Sequence, residues 1–134
     1  MALKFILHKQ IIEELNVYNL LPEQVGKQFK LNPRINYTSG VPALGKPSVS
    51  VLTIEIGNMD DGTPIYIKLK LRGIFVTIKG ADDETLPDAA EFRIASFPQI
   101  YSYARTLIAS VTMMGGLSPF ILPDIDPKAL TPLQ

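Results

Sequence analysis

The sequence predicts an α+β fold in two layers: a four-stranded antiparallel sheet with one long helix and short flanking helices on one face. Three observations predict it. Apolar and polar residues alternate in runs through the first half, Asp61-Gly62 separates two such runs, and a helical apolar stripe occupies the last third. The length of 134 residues predicts one domain spanning residues 1–134.

The first element has two interpretations. Residues 2–18 mix apolar and polar side chains, and we read them as one long, bent strand. A helix over residues 10–20 also fits, since apolar side chains recur there with a period of about 3.6 residues at Ile11, Leu15 and Tyr18. A crossover loop is expected over residues 21–29, and a second strand over residues 34–38.

A hairpin gives the strongest local signal. Residues 49–56 and 65–78 flank Asp61-Gly62, a dipeptide suited to the positive backbone angles of a hairpin turn. In the second arm, apolar residues alternate with polar ones, which are Tyr66, Lys68, Lys70 and Arg72. One face of the sheet is therefore expected to be apolar and the other basic. Gly73 breaks this alternation and is expected to form a bulge.

The last third is expected to be helical. Residues 88–95 suit a short helix, and Ser96 can cap a longer one whose first turn holds Pro98, where a missing N–H costs nothing. The longer helix carries an apolar stripe: Ile100, Ala104, Leu107, Ile108, Val111 and Met114. Gly115-Gly116 is expected to end it, and Asp126-Pro127 to begin one further turn.

Composition excludes several classes of function. Thirteen basic and thirteen acidic residues cancel, so no global field recruits nucleic acid or anionic lipid. The chain has no cysteine and a single histidine, His8, which leaves no thiolate chemistry and no multi-histidine metal site. No cofactor is expected. The apolar run Met1–Leu7 is too short for a signal peptide, and no run is long enough for a membrane helix. A cytoplasmic protein is expected.

Residues 40–47 nearly spell a phosphate-binding loop. That motif requires Ser or Thr after its lysine to hold magnesium, and Pro47 stands there instead. The following residues also read as a strand, whereas a phosphate site needs a helix N-terminus. An ordinary loop is the favoured interpretation, and an enzyme hypothesis depends on this segment alone.

A series of motifs marks the C-terminal third. Phe97-Pro98 opens the helix, Tyr103-Ala104-Arg105 lies within it, Gly115-Gly116 follows, and residues 122–130 form an apolar, proline-containing stretch. In their order and spacing these residues resemble the SecB-like chaperone family. Weaker matches to strands of the same family are Gly73-Ile74-Phe75 and residues 32–38.

The resemblance implies an ATP-independent holdase that is not an enzyme. Family members bind non-native polypeptides or preproteins in apolar grooves, for protein export or for protection of an antitoxin. They assemble as homotetramers, each a dimer of dimers. Carried over to this chain, the groove residues are Leu20, Leu21, Val25, Phe29, Phe92 and Phe97. Core packing is the alternative for each of them.

The same resemblance implies a docking site for the translocase motor SecA on acidic residues. The corresponding positions here are Gln10 and Glu14, of which one is acidic. SecA coupling is therefore in doubt, whereas antitoxin protection needs no such site. The alternative function is a structural or adaptor protein of SecB-like fold that binds one dedicated folded partner.

Overall fold

The computed structural model describes residues 4–19, 33–40, 47–57, 65–78, 89–114 and 119–129. They form four strands, one α-helix and one 3-10 turn: β1 (Lys4–Asn19), β2 (Pro33–Ser39), β3 (Ser48–Ile56), β4 (Ile65–Ile78), α1 (Ala89–Met114) and the turn Pro127–Ala129. The crossover loop, the Asp61-Gly62 turn and most of the phosphate-loop-like segment lie outside these residues. β3 begins at Ser48, directly after Pro47, so a strand and not a helix follows that segment.

The four strands form one antiparallel sheet in the order β1-β4-β3-β2. This confirms the predicted α+β class, and β1 is a strand rather than a helix. β1 and β2 lie at the two edges, while β3 and β4 are central. The longest neighbours are β1, with 16 residues, and β4, with 14.

The core lies between one face of the sheet and α1. On the central strands every second side chain is fully buried, as a half-covered sheet requires. These residues are Leu52, Ile54, Ile56, Ile67, Leu69, Leu71 and Phe75. The side of α1 that packs on them contributes Phe92, Phe97, Ile100, Ala104 and Ile108. Each large aliphatic or aromatic side chain buried here contributes roughly 1.5–3 kcal/mol.

The prediction of two helices divided at Ser96 is wrong, because α1 is continuous from Ala89 to Met114. Ser96 is buried within it, with its Oγ 3.4 Å from the Arg93 carbonyl oxygen and 2.5 Å from Tyr37 Oη. The hydroxyl therefore bonds within the helix and to β2 rather than capping a new helix. Pro98 removes one backbone donor from α1 but lies on its exposed side.

Gly73 is not a bulge. It pairs in regular register with Gln10 of β1 and Ser50 of β3. A Cβ at this position would lie 2.9 Å from Ile100 Cδ1 and 2.9 Å from Phe75 Cε1. The glycine thus lets α1 approach the sheet closely.

Residues 119–129 fold back along α1. Three hydrogen bonds join the two: Tyr101 Oη to Pro123 O (2.6 Å), Arg105 Nη1 to Asp124 Oδ1 (2.6 Å), and Phe120 N to Thr112 Oγ1 (2.8 Å). Leu122 of this segment is fully buried and belongs to the core. Lys128 donates its N–H to Asp126 Oδ1 at 2.9 Å, which confirms the predicted start of a turn.

Candidate functional site

Two bulges in β1 decide which of its side chains share a face. The pairing with β4 shifts between Leu7 and Lys9 and again between Ile12 and Glu14. Ile12 and Leu15 are three positions apart, so in a regular strand they would point to opposite faces. The extra residue Glu13 returns both to one face.

Three aliphatic residues of β1 consequently lie on the helix side of the sheet. We call Ile12, Leu15 and Val17 the β1 stripe. Their partners on β4 are Leu71, Leu69 and Ile67 respectively. The stripe is 51, 37 and 41% exposed, whereas the partners are 1, 0 and 1% exposed.

Nearer the start of β1, Leu7 lies on the same side of the sheet and is half-buried. Leu7 packs against the core, and its N–H donates to Gln99 Oε1 of α1 at 2.9 Å. Leu7 is therefore partly buried against the core, whereas the side chains of the β1 stripe are exposed. An edge strand with an open apolar row can bind apolar side chains of another segment.

A second group of apolar side chains is exposed on α1 and the segment that follows it. Its members are Ile94, Tyr103, Met113, Met114 and Ile121. The predicted helical stripe is correct at Ile100, Ala104 and Ile108, which are buried. It is wrong at Met114, the last residue of α1, which is 84% exposed. Exposed methionines form adaptable contacts, because the thioether side chain is flexible and polarizable.

The described residues present exposed apolar side chains along the β1 stripe and on α1. No three His, Cys, Asp or Glu side chains among them are grouped so as to hold a metal ion. Across the same ranges, no helix combines the length and apolar character needed to cross a membrane.

Of the six groove residues implied by the resemblance, the structure describes two. Phe92 and Phe97 are fully buried. Phe92 packs edge-on against Phe75, with ring centroids 5.4 Å apart, and Phe97 packs edge-on against Tyr37 at 5.2 Å. Both side chains thus occupy the core, which is the alternative given above. The other four lie outside the described residues and stay a prediction: Leu20, Leu21, Val25 and Phe29.

The two docking positions implied for SecA are not brought together. Gln10 lies opposite Gly73, on the helix side of the sheet. Glu14 lies on the face of the sheet opposite α1, where its Oε1 is 3.2 Å from Lys68 Nζ. This hydrogen bond and the charge of Glu14 raise the pKa of Lys68. The bulge at Glu13 separates the pair, because it reverses the alternation between them.

The β1 stripe was not anticipated from the sequence. A signal was present, since Ile12 and Leu15 are spaced as i and i+3, but this spacing is also the helical one. A bulge in a strand also places residues i and i+3 on one face. The pairing of β1 with β4 distinguishes the bulged strand from a helix.

No protein-family model matches the chain. An uncharacterized protein of Methanocaldococcus jannaschii is 27% identical over 131 residues, which cover 93% of this chain and 79% of that protein.

Two solved structures were also compared. A SecB-like chaperone of Mycobacterium tuberculosis, in complex with a ChAD peptide from the HigA1 antitoxin, matches with a TM-score of 0.59 and 14% identity over 91% of each chain. A protein of unknown function from Streptococcus agalactiae has a TM-score of 0.46 and 12% identity over 92% of this chain and 100% of that one, too low a score to support a conclusion. The four-stranded antiparallel sheet with one long helix is thus a SecB-like fold.

Proposed function

We propose that this chain is an ATP-independent, SecB-like chaperone that holds non-native polypeptide segments on apolar surface. The β1 stripe carries the proposal, because it is a row of exposed aliphatic side chains beside the fully buried row of β4. Aliphatic surface binds apolar segments of many sequences, since the hydrophobic effect is not directional. A holdase needs this tolerance of sequence.

The fold supports a chaperone-like role. The Mycobacterium tuberculosis protein of the same fold is a SecB-like chaperone, and its partner in that structure is a peptide from an antitoxin. Our proposal extends this to a cytoplasmic homotetramer whose clients are antitoxins or exported preproteins. Leu20, Leu21, Val25 and Phe29 would enlarge the client surface. SecA coupling has the least support, because Gln10 and Glu14 lie on opposite faces.

An adaptor for one folded partner is the second candidate. The stripe is short and confined to one edge strand, while the core beside it is fully sealed. A small surface of this kind also suits a single complementary partner or another copy of the chain. The two candidates differ in whether unfolded proteins bind.

An aggregation assay tests the proposal. A denatured, aggregation-prone protein is diluted with and without this chain, and light scattering is followed without ATP. We expect suppression near stoichiometric amounts. Leu15→Asp is expected to weaken suppression by roughly fivefold, because it places a charge within the apolar row. Thr38→Asp is the matched control, since it adds the same charge to an exposed position of the other edge strand.

The outcomes separate the candidates. Unchanged aggregation with the wild type, together with capture of one stoichiometric folded partner, would establish the adaptor instead. Size exclusion with light-scattering detection is run on both variants. If Leu15→Asp dissociates an oligomer and leaves suppression intact, the stripe is a subunit contact and not a client site.

A further inference from the structure

The face of the sheet opposite α1 carries a concentration of positive charge. On β4 the residues that alternate with the buried row point to this open face, among them Lys68, Lys70 and Arg72. The neighbouring strands add Arg34 on β2 and Lys9, which lies opposite Ile74 on β1. Three carboxylates share the face, from Glu13, Glu14 and Glu55. Among the side chains that the structure describes on this face, five cations thus meet three anions.

Each of these carboxylates is already paired. The ion pairs are Lys68–Glu14 at 3.2 Å, Arg72–Glu13 at 3.1 Å and Arg34–Glu55 at 3.5 Å. Glu55 also accepts a hydrogen bond from Tyr66 Oη at 3.2 Å. Lys70, at the centre of the row, lies between Glu14 and Thr53 in the pairing register. Among the described residues it has no carboxylate within ion-pair distance.

The basic row is bounded by apolar groups at both ends. At one end the rings of Tyr18 and Tyr66 lie 6.1 Å apart, centroid to centroid. Towards the other end Ile6 and Val76 pair across the strands and are both exposed. The open face therefore presents an aromatic pair, then cations, then aliphatic side chains along one direction of β4.

We infer that the open face binds an extended acidic segment of a polypeptide. Side chains on one face of a strand repeat about every 7 Å, so Lys68, Lys70 and Arg72 have the spacing of carboxylates at alternate positions of an extended chain. An apolar residue at an end of that segment would contact the aliphatic or aromatic border. The three carboxylates of the face would repel a continuous phosphate backbone more strongly than they would repel the separate carboxylates of a peptide. This difference favours a polypeptide over nucleic acid.

This site goes beyond the proposed chaperone function. It lies on the other side of the sheet from the β1 stripe, so neither surface contains a residue of the other. Its charge is also opposite to that of the acidic docking site implied by the resemblance. A client on the stripe and an acidic segment on the open face can be bound together.

Fluorescence anisotropy with a synthetic probe tests the inference. The probe is a fluorescein-labelled peptide with aspartate at alternate positions and leucine at one end, titrated with the whole chain at low and physiological salt. Binding is expected to weaken with salt. Lys70→Glu is expected to weaken it by about tenfold and Lys70→Gln by about threefold. Lys128→Glu, the matched control on the turn beside α1, is expected to change it less than about twofold.

Lys70→Gln guards against a folding artefact, because Lys70→Glu would place two glutamates opposite each other across β1 and β4. Both variants are checked by circular dichroism. Equal weakening by Lys70→Glu and Lys128→Glu would show attraction by net charge alone and overturn the site. Absent binding, or equal binding of a peptide with lysine at the same positions, would overturn it too.

A single-stranded oligonucleotide of matched charge provides the remaining comparison. Tighter binding of that probe than of the peptide, with the same loss in Lys70→Glu, would make the face a nucleic-acid surface and refute the inference. Leu15→Asp is expected to bind the acidic peptide like the wild type. The result is therefore independent of the aggregation assay.

Discussion

β1 and β4 run side by side and present aliphatic side chains to the same side of the sheet, yet one row is sealed and the other open. Leu15 and Leu69 are the sharpest instance, because they are the same residue type in directly opposed positions. Leu15 is 37% exposed and Leu69 is 0% exposed. Face and side chain are equal, so the difference arises from the edge position of β1 and from the layer above the two strands.

That layer approaches β4 and β1 in different ways. Over β4, α1 lies so close to Gly73 that a Cβ on this residue would collide with the side chain of Ile100. Over β1, a hydrogen bond from Leu7 N–H to Gln99 Oε1 joins the strand to α1 before the stripe begins. The exposure of the β1 stripe therefore goes with its place on an edge strand, beside the sealed core.

The largest expected effect tests this difference directly. Leu69→Ala should lower the free energy of unfolding by about 2–5 kcal/mol, since it leaves a cavity in a sealed core. Leu15→Ala removes the same atoms from a partly exposed site and should cost less than about 1 kcal/mol. Urea unfolding followed by circular dichroism measures both. Similar costs would mean that the stripe is buried in solution, for instance between copies of the chain.

The contrast explains how far the sequence could predict this molecule. The alternation in β4 was readable because both of its faces have a uniform environment: Leu69 and Leu71 are buried, and Lys68 and Lys70 are half-exposed. In β1 the bulges break the alternation. Since a bulge has no strong sequence signature, the apolar row of β1 could not be placed on a face.

The helix boundary shows a second limit. Ser96 and Pro98 have the residue types and spacing of a helix start, and local rules placed one there. Tertiary contacts override those rules, because Tyr37 takes the Ser96 hydroxyl and the flanking Phe97 is needed in the core. Phe92 was expected in a groove through the family resemblance alone, and the structure places it in the core against Phe75.

A smaller effect is expected at the closest approach of helix and sheet. Gly73→Ala should destabilise the fold by about 1–3 kcal/mol, because the new methyl group must displace the side chains of Ile100 and Phe75. Gln10→Ala, at the opposed position on β1, is the control and should change stability by less than about 0.5 kcal/mol. Thermal unfolding of both variants measures this. Equal tolerance at the two positions would show that α1 can move away from β4 without cost.

The smallest effect concerns the two edge strands, which form different hydrogen bonds with α1. β2 is held through Tyr37, whose Oη lies 2.5 Å from Ser96 Oγ, in addition to the hydrogen bond from Arg93 to its carbonyl oxygen. Tyr37→Phe should cost about 1 kcal/mol near neutral pH, the net value of one buried hydrogen bond. β1 lacks an equivalent buried hydroxyl contact among the described residues.

The same substitution has a signature in alkaline solution. Burial raises the pKa of Tyr37 above its ordinary value of 10.0, against the opposing effect of the Ser50 and Ser96 hydroxyls and of Arg93. A raised pKa means that the folded state keeps the phenol proton when the unfolded state has lost it. This contribution to stability is complete below pH 10 and is lost as the pH rises from there through the folded-state pKa.

Tyr37→Phe should therefore lose less stability above pH 10 than the wild type in urea unfolding. Part of the dependence of the free energy of unfolding on pH should remain, because burial also raises the pKa of Tyr101. Parallel curves for the two proteins would mean that the Tyr37 hydroxyl is open to water, and that α1 covers β2 no better than it covers the β1 stripe.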